Sequence, residues 1–361
     1  MIISGDLHLG LGKFDRSSGT GDVLFNHTFS CLKEACGHAN NNHDNFLQTG
    51  DVFNSPVVDP FVAKIVSATL ADIAVTVCPV GNHECFKSEF RDEIGMIQTS
   101  WKNLIRPYDH MQRVGPDYLM VLDYAPEGQK QAEHQFGIKL SQSRVNQRRS
   151  TQHLLVVAHH LFDGVHEYFG VAPPANENWF KKEWCYELSK SGYKSVTVVL
   201  GHDHVPKDYK VGEVSVYNIG SPTSLHFNDH HTRRFLKWDP QNGSMKEIPV
   251  LSSIKHCEID NLEEFLKCKM KDNMDRVLAN FELKDSKQEH RFVKRLDWCK
   301  KNGIEVVDKT NFFKQTEIVD GTNVSIMSHS VKDEFDLYAK EVNLLKNVTE
   351  KSKEFMDEVG L

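Results

Sequence analysis

The chain has 361 residues and a net charge of −7, from 43 basic and 50 acidic side chains, with 19 histidines. At 39% apolar and 26% charged it is too apolar for global disorder, and no run approaches the ~20 apolar residues of a membrane-spanning helix. A mildly acidic balance excludes a generic nucleic-acid coat, though not an enzyme that meets nucleic acid at a cationic site or a local basic strip. The length predicts two or three domains. Eight cysteines without a CxxC pair exclude a disulfide framework and a zinc ribbon. Met1 to Asp6 lack the basic and apolar regions of a secretory signal. A cytoplasmic chain with reduced thiols is the expectation.

In chain order, Met1 to Ser4 reads as a short strand. Phe25, Phe29, Leu32 and Cys36 recur at helical spacing, which predicts an amphipathic helix over about 22–39. Asn45 to Gln48 predicts a strand ending at Gly50-Asp51. Pro60 to Leu70 predicts a helix with proline in its first turn, and Ala74 to Cys78 a strand ending at Gly81-Asn82-His83. The polar stretch Gln129 to Gln152 reads as an exposed insertion or mobile loop. His153 to Ala158 and Ser195 to Leu200 are apolar strand-like runs ending at His159 and at Gly201-His202, and Val214 to Ile219 and Arg234 to Trp238 predict further strands. From about Met245 the composition changes. Arg276 to Leu283, Asp285 to Asn302 and Ile304 to Val307 predict strand, helix and strand of a separate small unit. Beyond Ser328, a final helix carries Val331, Phe335, Tyr338, Val342 and Leu345 on one seam, an incipient heptad. Such alternation predicts an α/β architecture with ligands at the strand ends.

Five short blocks follow strand-like runs: Gly5-Asp6-Leu7-His8, Gly50-Asp51, Gly81-Asn82-His83-Glu84, Ala158-His159 and Gly201-His202-Asp203-His204. Asp6 and His8 are two apart, so in extended chain they share a side and can hold one ion; His202 and His204 repeat the geometry. The set offers carboxylate, imidazole and amide ligands without thiolate, a mixture suited to manganese, iron or zinc. Seven ligands are too many for one ion and suit two, with Asp51 as the natural bridge. Two such ions clamp a phosphate and activate a water. His83, spare in this count, is placed to contact the phosphate and protonate a leaving group.

These blocks resemble the pattern of the calcineurin-like metallophosphoesterase superfamily: D-x-H, G-D, G-N-H-D/E, H and G-H-x-H. The resemblance covers about residues 1–240. It implies a two-sheet α/β/β/α sandwich and a di-metal site. Asp6, His8, Asp51 and His204 would hold one cation, and Asp51, Asn82, His159 and His202 the other. His83 would be catalytic, and His160 stands as the alternative to His159. Manganese is the expected metal, with magnesium the alternative. Asp6-Leu7-His8-Leu9-Gly10, Gly50-Asp51-Val52-Phe53 and Tyr217-Asn218-Ile219-Gly220-Ser221-Pro222 resemble segments of the SbcD-type recombination nucleases, including phage-encoded ones. That narrower resemblance implies a catalytic domain over 1–245 and a small α/β capping domain facing DNA over 246–327. It also implies a helix over 328–361 that docks on an SMC-like ATPase subunit (SbcC-type). The activity implied is exonuclease and endonuclease cleavage of DNA in recombination and double-strand-break repair. A homodimer is compatible with it, a membrane is not involved, and a phage-encoded chain would work in the host cytoplasm. A small-molecule or protein phosphatase is the competing expectation.

Two positions depart from the pattern. Glu84 stands where Asp is usual, and Asn54 where some members carry a second active-site histidine. Elsewhere, Arg291, Lys294 and Arg295 lie on a basic strip with Lys287, Lys300 and Lys301, a candidate DNA contact or a solvated helix face. Arg144, Arg148 and Arg149 read as surface charge, with DNA contact from a mobile loop as the alternative.

Overall fold

The computed structural model describes residues 1–10, 14–15, 20–55, 58–71, 73, 76–77, 79–85, 112–114, 117–144, 149–163, 177–225, 231–254, 256–267, 275–310, 316–319 and 322–325. Ile2–Ser4 lies at the centre of a five-stranded sheet, parallel to Phe46–Gln48 and antiparallel to Arg234–Asp239. Thr76–Val77 extends the parallel side and Ser244–Pro249 the antiparallel side. A six-stranded sheet runs in the order Lys207–Val211, Val214–Asn218, Ser195–Leu200, His153–Ala158, Asp117–Leu122, Gln112–Val114. Its four central strands are parallel.

Alternation along these strands sorts the side chains into layers. Ile3, Leu47, Leu236 and Trp238 of the first sheet share one buried cluster with Leu119, Val121, Leu155, Val157 and Val199 of the second. Their neighbours Ile2, Phe46 and Phe235 face the other way, onto helices Val23–Asn42 and Pro60–Leu70. Met120, Leu154, Val156 and Val198 likewise meet helices Gln129–Arg144 and Lys182–Ser189 through Phe136, Leu140, Trp184 and Leu188. The buried clusters therefore alternate helix, sheet, sheet, helix. A register slip of one residue would exchange the two faces of a strand and destroy both clusters it serves.

The helix ends follow from local chemistry. The Asp22 carboxylate accepts the Phe25 N–H at 2.8 Å, and the helix it starts closes on His43 in the left-handed conformation, φ 52°. Asp59 caps the next helix through the Phe61 N–H, with Pro60 in its first turn. One expectation is overturned. The Gln-rich stretch read as a loop is mainly the helix Gln129–Arg144, with Arg149–Thr151 a following 3-10 turn. Ala132, Phe136 and Leu140, spaced by four, are its buried apolar side chains, and Lys139 and Ser143 are buried beside them.

His256–Ile259, Arg276–Ala279 and Glu305–Asp308 form a small parallel sheet crossed by helix Ser286–Lys301. Ile259, Phe265, Val277, Phe281, Phe292, Cys299 and Ile304 give this unit a core of its own. The strand from Arg276 stops at Ala279, four residues short of its expected end. The helix expected beyond Ser328, with its seam, lies outside the described residues. No helix among the described residues is long and apolar enough to cross a membrane.

Candidate metal centre

The five blocks converge because each leaves the carboxyl end of a strand, and those strands are parallel within each sheet. Asp6 and His8 follow Ile2–Ser4, Asp51 follows Phe46–Gln48, and Asn82 and His83 open a 3-10 turn beyond Thr76–Val77. His159 follows His153–Ala158, and His202 and His204 follow Ser195–Leu200. The glycines serve close approach as much as turning. A Cβ on Gly81 would collide with the Asp51 carboxylate, and one on Gly201 would lie 2.7 Å from Asp6 Oδ1. His8, Asp51 and His202 all have left-handed backbones, with φ of 49°, 50° and 82°.

Asp51 sits between two groups of donors. On one side its Oδ2 lies 3.7 Å from His8 Nε2, which is itself 3.0 Å from His204 Nε2. On the other it lies 3.3 Å from His159 Nε2, which is 2.9 Å from Asn82 Oδ1. Asp6 approaches both groups, its Oδ1 3.6 Å from His159 Nδ1 and its Oδ2 3.8 Å from His204 Nε2. His202 donates its backbone N–H to Asp6 Oδ2 at 2.8 Å. His8, Asp51 and His83 form one set of side chains able to hold a metal ion, and Asp51, His159 and His202 form another. His83 joins the first set although the sequence left it outside the ligands. It is exposed, with its N–H on Asp51 Oδ1 at 3.0 Å and its Nδ1 3.3 Å from the Asn54 carbonyl. His160 is 1% exposed beside Trp184, and neither of its ring nitrogens has a hydrogen-bond partner among the described residues.

The donor chemistry fits two cations. His159 Nδ1 lies 2.9 Å from the Thr49 carbonyl, which can only accept, so that nitrogen carries the hydrogen. Nε2 then faces the oxygens of Asn82 and Asp51, so positive charge is needed between them, supplied either by a proton on the ring or by a cation. The charge balance agrees. Burial raises the Asp6 carboxyl to about 7, with His159 opposing and Asp51 adding to the rise. Burial also acts to raise Asp51, but the imidazoles of His159, His8 and His83 hold it below the usual carboxylate range. Burial would lower His159, yet Asp51 and Asp6 push it up to about 9. Chiefly through burial, His8 falls to about 4. Two buried carboxylates thus compete for scarce positive charge.

Several supporting residues carried no motif signal. Glu177 Oε2 lies 2.6 Å from His202 Nε2, and the Tyr124 ring is 5.8 Å from the His202 ring. Neither residue belongs to a strand-end block; only chemistry in three dimensions reveals them. Glu84 accepts the Gly81 N–H at 2.9 Å and the Phe53 N–H at 3.1 Å, tying the Asp51 loop to the Asn82 turn. Burial, with Asp51 adding, raises its carboxyl to about 7. Ser221 of the Gly-Ser-Pro segment donates its hydroxyl to the Asp6 carbonyl at 2.8 Å, and Arg233 donates to the His204 carbonyl at 2.9 Å.

The basic strip lies on the small unit. Arg291 pairs with Glu263 at 2.8 Å. Arg295 lies 4.1 Å over the Trp298 ring and donates Nε–H to the Phe265 carbonyl at 3.2 Å, whereas Lys294 is exposed.

No protein-family model matches the sequence, and no curated protein matches it. Among solved structures, the chain is similar to the protein TT1561 of Thermus thermophilus, with a TM-score of 0.40 at 11% identity over 69% of this chain and 97% of that one. It is also similar to a dimetal phosphatase from Danio rerio, with a TM-score of 0.39 at 12% identity over 69% and 98%. A third is the phosphopantetheinyl hydrolase of Mycobacterium tuberculosis, with a TM-score of 0.36 at 14% identity over 61% and 89%. Likenesses this distant carry no functional argument, which rests on the site itself.

Proposed function

We propose that the chain is a di-metal phosphodiesterase of the metallophosphoesterase superfamily that cleaves DNA. The observation that carries this reading is the position of Asp51 Oδ2, within 3.7 Å of His8 and 3.3 Å of His159, at the junction of two sets of inward-facing donors. Asp6, His8, Asp51 and His204 would hold one divalent cation and Asp51, Asn82, His159 and His202 the other, with manganese favoured over magnesium. Bound there, the cations would clamp the phosphate, acidify the attacking water and offset charge on the leaving oxygen. His83 stands at the exposed edge with its Nδ1 toward the Asn54 carbonyl, which leaves Nε2 as the atom that, in the protonated ring, would pass a proton to the leaving group.

The layered packing of the two large sheets supports a catalytic sandwich over 1–245. The separate core of the small unit supports a capping domain over 246–327 that bears on DNA. The segment 328–361 is proposed as the docking helix for an SMC-like ATPase, in a recombination and repair complex of the host or cell cytoplasm. The SbcD-type assignment rests on the Asp-Leu-His-Leu-Gly and Gly-Ser-Pro segments. One experiment tests the activity: single- and double-stranded DNA, a nitrophenyl phosphodiester and a phosphomonoester, each with manganese, magnesium or no metal. The expected result is manganese-dependent DNA cleavage, with DNA competing against the small diester. Turnover of the monoester alone would establish the phosphatase instead.

A further inference from the structure

Asn54 follows the loop that carries Asp51, and its two oxygens face two different imidazoles. The side-chain Oδ1 lies 3.1 Å from His8 Nδ1, and the backbone oxygen lies 3.3 Å from His83 Nδ1. Oxygens of this kind only accept, so both Nδ1 atoms supply the hydrogen. A neutral imidazole has one such hydrogen, which leaves a lone pair on each Nε2. For His8 that is the atom facing the pocket, 3.0 Å from His204 Nε2 and 3.7 Å from Asp51 Oδ2. The opposite tautomer would place a hydrogen where a cation must sit. The two rings are perpendicular, with centroids 4.7 Å apart, so one residue between them can serve both.

We propose that Asn54 is a positioning residue that fixes the Nδ1–H tautomer of His8 through its side chain and of His83 through its backbone carbonyl. Its purpose rests on the di-metal reading: His8 is presented as a ligand and His83 as a proton carrier by the same residue. The position that departs from the family pattern therefore has a task of its own. The two contacts also respond differently to substitution. Asn54→Ala removes the acceptor at His8 and leaves the backbone oxygen at His83. Asn54→Asp keeps an acceptor at both.

The test uses the full chain, metal-free and 15N-labelled, with imidazole nitrogens read by long-range proton–nitrogen correlation. Wild type is expected to show Nδ1–H at His8 and His83. In Asn54→Ala, His8 should shift toward the Nε2–H form while His83 stays, and Asn54→Asp should restore the wild-type pattern. Manganese titration calorimetry should show one of two sites weakened by about 10–100-fold in Asn54→Ala, a common effect of removing a residue that orients a ligand. Nε2–H at His8 in wild type, or a His8 tautomer unchanged in Asn54→Ala, overturns the proposal. A wild-type chain that binds no manganese, yet whose His8 tautomer follows Asn54, would defeat the di-metal reading and leave the role of Asn54 standing.

Discussion

The carboxylate of Glu84 holds the Gly81 and Phe53 N–H groups at once, so the loop carrying Asp51 and the turn carrying Asn82 are joined by one side chain. The Asp51 loop and the Asn82 turn are therefore not independent in position.

Asp51→Asn should abolish hydrolysis and weaken both metal sites, because the shared carboxylate supplies charge to each. Metal content by elemental analysis and titration calorimetry are the measurements. Two cations retained per chain with activity intact would remove the bridging role.

His83→Ala should keep two cations per chain and lower turnover by about 10²–10⁴-fold, the usual share of a proton donor. Its exposed ring and edge position make loss of fold unexpected. A variant that loses a cation would move His83 into the ligand set, which its proximity to His8 and Asp51 makes a sharp test.

His160→Leu should leave metal content unchanged and hold or raise the melting temperature. Both ring nitrogens of His160 are buried without partners among the described residues, and each such atom costs about 1–3 kcal/mol. A fall in metal content would transfer the ligand role from His159 to its neighbour.

The metal-free chain should lose stability as pH rises from about 6.5 to 9. His159 is raised from 6.5 to about 9, so its contribution is complete below 6.5 and fades as pH passes through 9. Asp6, raised to about 7, acts in the same direction over the lower part of the range. His8, lowered to about 4, has given its full contribution by pH 6.5 and does not oppose the fall. Thermal melts across this range should show the decline, and saturating manganese should flatten it by replacing protons as the countercharge. A rising or level profile without metal would contradict the charge balance drawn for the pocket.

Lys294→Glu should flatten the salt dependence of DNA binding if the small unit lies on the DNA path, since each phosphate contact releases counterions. Arg295→Glu should instead lower stability, because that side chain supports the Phe265 carbonyl and covers Trp298. An unchanged slope in Lys294→Glu, measured by fluorescence anisotropy, would return the strip to an ordinary solvated face.

Much of the candidate site was legible in the sequence because its proposed ligands sit where periodicity ends. Asp6, Asp51, Asn82, His159 and His202 each follow a strand-like run, and the structure gathers them. Helix Pro60–Leu70 was legible because Pro60 suits its first turn; the Asp59 cap appears only in the structure. Helix Gln129–Arg144 was not, since its buried face includes the polar Lys139 and Ser143 beside Ala132, Phe136 and Leu140, which masks the apolar period. Glu177 was invisible for another reason: a lone acidic residue follows no pattern until His202 is seen beside it.

The left-handed backbones of His8, Asp51 and His202 carry a consequence for how this chain tolerates change. Non-glycine residues in sparsely populated backbone regions cost on the order of 1–3 kcal/mol each, though Asp bears it more easily than most. The strain, like the crowded carboxylates, exists before any ion arrives. Glycine at position 51 would ease both and remove the carboxylate that the two donor sets share. Selection for stability alone would therefore erode this pocket first, and a sturdier descendant of the chain could be one that had lost the shared carboxylate.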